Sequence, residues 1–240
     1  MPIHFISDLH LADDTPALNL LFVRTLSHWQ GQIDALYILG DLFEYWVGDD
    51  DDTPFLAGIM DAMRRFAAHT PLFVMRGNRD FLLGSGFEQR SGAQLLTDPT
   101  LIQAFGQPYL LTHGDALCTD DTAYQQFRSL SRNPDWQSAM LARPLAERHA
   151  IAQQARQQSE AAKQQHGLTA ISDVTDSAVQ ALLAEHGWPT LIHGHTHRPA
   201  CHEHRDGPYR AQRWVIADWH GDHGGYLKLD EHGVSAHPLS

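Results

Sequence analysis

Short apolar runs that stop abruptly at polar residues recur along the chain. Ile3 to Ser7, Ala35 to Leu39, Leu72 to Met75 and Tyr109 to Thr112 have the length and continuity of buried strands. Between the first three of these, Ala17 to Trp29 and Phe55 to Ala68 place apolar residues at helical spacing, each behind a Thr-Pro pair. Proline suits a helix start because its fixed φ is already helical and its missing N–H is not needed there. Alternating strand and helix predicts a layered α/β fold. Further strands are predicted at Thr190 to His193, Arg213 to Ala217 and Tyr226 to Leu229, with Gly, Pro and Asp between them, so the end of the chain reads as β-rich.

The stretch from about Thr122 to Gln165 breaks this pattern. It is rich in Ala, Gln, Arg and Leu and poor in β-branched residues, which predicts a helical insertion, about 122–165, in one domain spanning 1–240. Its apolar members include Tyr124, Phe127, Leu130, Trp136, Met140, Leu141 and Leu145, and it carries Arg128, Arg132, Arg143, Arg148 and Arg156. Two readings fit: an amphipathic helix pair packed on the core, or a lid whose apolar side holds a greasy substrate and whose arginines meet phosphate.

Composition narrows the chemistry. A net charge of −12 argues against broad binding of nucleic acid through phosphate neutralisation. No apolar run approaches the length of a bilayer crossing, and the start of the chain lacks a basic region followed by an apolar one. Two cysteines, Cys118 and Cys201, outside any Cys-x-x-Cys arrangement, point away from a disulfide scaffold or thiolate zinc site and fit a cytoplasmic setting. Histidine is the anomaly, at 17 residues, which puts metal chemistry first among the possibilities.

Five separated segments share one design, a predicted strand followed at once by oxygen or imidazole donors: Asp8-Leu9-His10, Gly40-Asp41, Gly77-Asn78-Arg79-Asp80, His113-Gly114-Asp115 and Gly194-His195-Thr196-His197. In α/β sheets, sites form beyond the carboxyl ends of strands, so these segments can converge. Asp8 and His10, like His195 and His197, are two apart and can face one side of an extended loop. Seven donors (Asp8, His10, Asp41, Asn78, His113, His195 and His197) exceed one tetrahedral ion and suit two divalent ions sharing a carboxylate, for which Asp41 is the natural bridge. Carboxylate, amide and imidazole without thiolate favour manganese, iron, magnesium or zinc, and spacing does not choose among them. Glu44 to Asp52 reads as a solvated acidic turn, with Tyr45 and Trp46 as alternative borders of a substrate entrance, and His202, His204, His220 and His223 read as surface residues.

The order Asp-x-His, Gly-Asn-x-Asp, His and Gly-His-x-His, over Phe5 to Pro199, resembles the calcineurin-like metallophosphoesterases. The resemblance implies an αββα sandwich with a dinuclear centre that activates water against phosphorus. It implies one ion on Asp8, His10, Asp41 and His197, the other on Asp41, Asn78, His113 and His195, and a structural role for His193. Many members carry His after the Gly-Asn pair, whereas Arg79 stands here. Arginine does not give up its proton, so Arg79 stabilises charge on phosphate and the leaving group must be a good one, which points to an anhydride. Longer stretches, from Phe5 to Leu11, Gly77 to Leu82, His113 to Thr119 and His193 to Pro199, resemble the lipid A branch of that family, the UDP-2,3-diacylglucosamine pyrophosphatases. That resemblance implies water attack on the α-phosphorus of a lipidated UDP-sugar, giving UMP and 2,3-diacylglucosamine 1-phosphate (lipid X). It implies Mn(2+) as the metal and peripheral contact with the cytoplasmic face of the inner membrane; a monomer is expected, though the sequence does not give the oligomeric state. Asp41, Asn78, Arg79 and His195 become the expected catalytic residues, and Asn78, Arg79, Asp121, Ser159, Lys163, His166 and His195 the expected substrate contacts. A phosphodiesterase acting on soluble nucleotides, or a protein-binding scaffold with a dead metal site, are the competing readings.

Overall fold

The computed structural model describes residues 1–166 and 173–239, and side chains outside 158–166. Strand and helix alternate through β1 (Ile3–Ile6), α1 (Pro16–Trp29), β2 (Ala35–Leu39), α2 (Pro54–Ala67), β3 (Leu72–Met75), α3 (Ser85–Ser91) and β4 (Gln94–Leu96). A hairpin of β5 (Thr100–Ala104) and β6 (Gln107–Leu111) follows, then α4 (Thr122–Ser131), α5 (Pro134–Leu141) and α6 (Leu145–His166). The chain returns through α7 (Asp176–Glu185) and β7 (Thr190–His193) to two hairpins, β8 (Ala200–Asp206) with β9 (Tyr209–Val215) and β10 (Gly224–Asp230) with β11 (Gly233–Leu239).

The strands form two sheets, ordered β11-β10-β1-β2-β3-β4 and β5-β6-β7-β9-β8. Strands β1 to β4 are parallel, as are β6, β7 and β9. Period-two alternation sorts their side chains into separate apolar layers. On β2, Leu36 and Ile38 pack with Phe22, Met63 and Phe66 of α1 and α2, while Tyr37 and Leu39 pack with Leu111 and Ile192 of the second sheet. The second sheet turns Leu110 and Leu191 outward onto Val179 and Leu183 of α7. Helix on sheet, sheet on sheet and sheet on helix make an αββα sandwich, the architecture expected from the motif order.

The predicted strands and both Thr-Pro helices form within a few residues of the expected bounds. In α2 the Thr53 hydroxyl also accepts from Leu56 N–H, capping the helix that Pro54 begins. The elements without a sequence signal are α3, β4, β5, α7, β8 and β11. Strand β8 shows why: only His204 among its residues is buried, so no apolar alternation marks it. The insertion forms three helices rather than a pair. The side chains of Ser159, Lys163 and His166, expected substrate contacts, lie outside the described residues.

Candidate metal centre

Strands β1, β2, β3, β6 and β7 end at one edge, and each hands its next residues to a single site. Main-chain bonds lace the loops together: Asp8 N–H donates to Gly40 O, Leu9 and His10 N–H to Asp41 O, and Gly194 N–H to His113 O. Five of the seven predicted donors, Asp8, His10, Asp41, His195 and His197, have φ between 50° and 66°. Among the described non-glycine residues only Phe105 and Trp188 share that left-handed region. Such backbone costs of order 1–3 kcal/mol per residue, and persists where the surrounding structure holds it for a purpose.

Two glycines make the close approach possible. A Cβ on Gly77 would fall 2.1 Å from Asp41 Oδ1, and one on Gly194 would fall 2.3 Å from Asp8 Oδ2. At both positions any side chain would displace a carboxylate.

The donors gather as two neighbouring groups, Asp8 with His10 and His197, and Asp41 with His113 and His195, each with its ligating atoms within 4.8 Å of one another. Asp41 spans them, with Oδ2 4.0 Å from His10 Nε2 and Oδ1 3.7 Å from His113 Nε2. Asn78 Oδ1 lies 3.0 Å from His113 Nε2. All seven expected ligands are therefore brought together.

The surroundings aim these atoms. Asp8 Oδ2 accepts from Ser7 Oγ at 2.6 Å and from His195 N–H at 2.8 Å, leaving Oδ1 without a hydrogen-bond partner. His113 Nδ1 donates to Leu39 O at 2.8 Å, which turns Nε2 toward the site. Glu44 lies 3.2 Å from His10 Nδ1 and Asp218 lies 3.2 Å from His197 Nδ1, so each holds an imidazole with its Nε2 facing inward. Sequence reading missed both of these carboxylates. Asp218 repeats the design that marks the ligands, a donor directly beyond a strand, and was legible on that ground.

Electrostatics show what the cluster wants. Burial would lower the His113 imidazole, but the Asp41, Asp115 and Asp8 carboxylates overcome it and push it up to about 9. Burial likewise opposes His197, yet the Asp218 and Asp8 carboxylates beside it raise it to about 10. The carboxylates around these imidazoles call for positive charge, which divalent ions would supply. The unpartnered Asp8 Oδ1 and His10 Nε2 point the same way. The donor set fits two divalent ions.

A family model described as calcineurin-like phosphoesterase matches residues 1–199. A UDP-2,3-diacylglucosamine hydrolase of Chromobacterium violaceum is 73% identical over 239 residues, covering 100% of this chain and 99% of its own length. The chain belongs to the UDP-2,3-diacylglucosamine hydrolase family of calcineurin-like phosphoesterases. A member from Aromatoleum aromaticum is 52% identical, covering 95% of this chain and 93% of its own. An archaeal phosphodiesterase of solved structure shares the fold, with a TM-score of 0.51 at 13% identity and full coverage of both chains.

In this phosphoesterase, Arg79 lies beside Asp41, its N–H donating to Asp41 Oδ1 at 2.8 Å. Its guanidinium stands 3.6 Å from Glu44, and its buried Nε has no hydrogen-bond partner. Asp121 caps α4, accepting from Tyr124 N–H at 2.9 Å. His193 is buried; its Nδ1 donates to Gly194 O at 2.9 Å, and Nε2 accepts from Arg213 at 3.0 Å. That is a supporting role.

Four expectations are corrected. The arginines of the insertion are largely occupied by core carboxylates. Tyr124, Arg128 and Arg132, one helical turn apart, all turn to buried Asp115: the Tyr124 hydroxyl and Arg128 Nε donate to it, and Arg132 lies 3.6 Å away. Buried Arg148 pairs with Asp50, and Arg156 Nε lies 3.0 Å from Glu44. Correspondingly, the acidic turn is an anchor at Asp49 and Asp51, while Asp50 and Asp52 stay exposed. Asp49 accepts from the N–H groups of Gly84 and Gly86, and buried Asp51 meets His149 at 2.9 Å. Trp46 is core, 3% exposed, and His204 is buried against Arg213, so neither is the border or surface residue expected.

Proposed function

We propose that the chain hydrolyses the pyrophosphate of UDP-2,3-diacylglucosamine in lipid A biosynthesis, water attacking the α-phosphorus to give UMP and 2,3-diacylglucosamine 1-phosphate. The observation that carries this reading is the gathering of seven donors and Arg79 at one sheet edge, flanked by a helical insertion, in a chain 73% identical to a hydrolase of that name.

Asp8, His10, Asp41 and His197 would hold one divalent ion, and Asp41, Asn78, His113 and His195 the other. When bound, the ions supply Lewis acidity at phosphate oxygens and a more acidic water. Manganese suits this mix of carboxylate, amide and imidazole. Arg79, whose Nε has no protein partner, stabilises the negative charge that builds on phosphate oxygens. Attack forms a bond from water oxygen to the α-phosphorus and breaks its bond to the bridging oxygen, which leaves with the sugar phosphate. That phosphate is a stable anion and leaves without a proton donor, which suits an arginine at position 79.

The insertion supplies the lipid side of the reading. Phe127 and Leu130 on α4, Leu141 on α5 and Ile151 on α6 are 37–51% exposed. Exposed apolar side chains gathered on one insertion suit acyl chains and peripheral contact with the inner membrane on its cytoplasmic side. No helix of the described residues is long and apolar enough to cross a membrane. Asn78, Arg79, Asp121 and His195 would contact the polar part of the substrate, with Ser159, Lys163 and His166 of α6 completing it. One chain provides every ligand, so a monomer suffices.

Following UMP release from lipidated and deacylated UDP-glucosamine tests this reading. Strong preference for the lipidated substrate is expected. Equal kcat/KM for the two, or preference for soluble phosphodiesters, would overturn it.

A further inference from the structure

A second charged feature lies on the same sheet edge. Strands β3 and β4 pair side by side, Arg76 follows the first, and Thr97 and Asp98 follow the second. Helix α4 brings Arg128 and Arg132 against them, and Gln137 of α5 and the Phe81 ring complete an open cleft of about 470 Å³. Arg132 donates to Gly77 O at 2.9 Å, one residue before Asn78, so the cleft adjoins the metal-bearing loops.

Three guanidinium groups meet here, and their charge is incompletely matched. Asp115 takes Arg128 at 2.9 Å and Arg132 at 3.6 Å. Arg76 is half-buried and donates Nε to Leu83 O at 2.6 Å, and among the described residues no carboxylate forms an ion pair with it. Asp98 makes only a long approach to the cluster. Its Oδ1 accepts from Thr112 at 2.6 Å, its Oδ2 lies 4.0 Å from Arg128 without a hydrogen-bond partner, and burial pushes its carboxyl up. A planar guanidinium offers paired donors to a tetrahedral oxyanion.

We infer that this cleft is a subsite for a phosphate-like oxyanion, held by Arg76 with the N–H donors of Arg132 and Arg128 that Asp115 and Gly77 O leave over, beside the metal centre and separate from it. The subsite does not depend on the substrate assigned above. The same chemistry serves a free oxyanion or the phosphate of a nucleotide, and the two are separable.

Calorimetric titration of the metal-loaded full chain with sulfate, UMP and uridine, at constant ionic strength, tests the subsite. Saturable sulfate binding is expected in the native chain, weakened about tenfold in Arg76→Gln and less in Arg76→Lys, the loss of one charge-assisted contact. UMP binding that weakens with sulfate binding in Arg76→Gln identifies the nucleotide phosphate as an occupant. UMP binding left unchanged while sulfate binding falls identifies a free oxyanion. Thermal midpoints establish that the variants fold, and Arg76→Lys decides if Arg76→Gln does not. Sulfate binding equal in native and variant chains, no saturable binding at all, or uridine binding as well as UMP would each overturn the subsite.

Discussion

The metal-bearing edge and the helical insertion beside it are built on opposite plans. At the edge, position is enforced by backbone: left-handed residues, glycines within van der Waals contact of carboxylates, and loops bonded main chain to main chain. The insertion is held to the core largely by side chains, with Asp115 gripping α4 and Asp50, Asp51 and Glu44 gripping α6. Backbone placement suits ions, whose ligands tolerate displacements of only a few tenths of an ångström. Side-chain straps can yield without disturbing that geometry, which is what admitting a bulky lipid requires.

The comparison is sharpest at its strongest point. Asp41→Ala removes the carboxylate shared by both donor groups, and kcat/KM for UMP release should fall about 10³-fold or more, with metal content reduced to one ion or fewer. Asp218→Asn and Glu44→Gln leave every ligand in place and loosen the imidazoles that these carboxylates orient, Glu44→Gln also weakening the hold on Arg156 and Arg79. Metal affinity, read by competition with a chelator, should weaken about 10- to 100-fold. An unchanged affinity would mean that backbone alone orients His10 and His197.

On the insertion side, Arg148→Ala removes hydrogen bonds to Val47 O, Arg143 O and Asp50. Stability should drop by about 1–3 kcal/mol, with faster amide exchange confined to α6 and no change in bound metal. Loss of metal in that variant would break the distinction between the two regions.

The smallest effect concerns acid. His4, packed between Trp29 and Tyr226, is lowered by burial from 6.5 to about 4, and His193 is lowered to about 3 by burial and by Arg213. Above pH 6.5 both are neutral folded or unfolded and cost nothing. As pH falls below that value the unfolded chain takes up protons that the folded chain refuses, so stability declines. As pH drops toward about 4, the thermal midpoint of the native chain should fall relative to that of His4→Phe. Parallel midpoints across that range would show that His4 is not held neutral.

Ligands were legible in the sequence because each follows a buried strand by two or three residues, so local pattern and chemistry coincide at Asp8, Asp41, Asn78, His113 and His195. The anchors were not. Asp50 meets Arg148 across 98 residues, and no local pattern distinguishes that aspartate from a solvated one. Asp115 is nearer its partners, but its role appears only when Tyr124, Arg128 and Arg132 are laid on one helical face. Edge strands β8 and β11 lack apolar alternation because, His204 apart, none of their residues is buried on either face.

The central claim is that two ions, bridged by Asp41, make this edge a hydrolytic site. Titrating the metal-stripped protein with manganese while following UMP release from UDP-2,3-diacylglucosamine tests it most directly. The account predicts two equivalents bound per chain and activity that appears only as both sites fill. Full activity in the stripped protein, or saturation of activity at one equivalent, would contradict it.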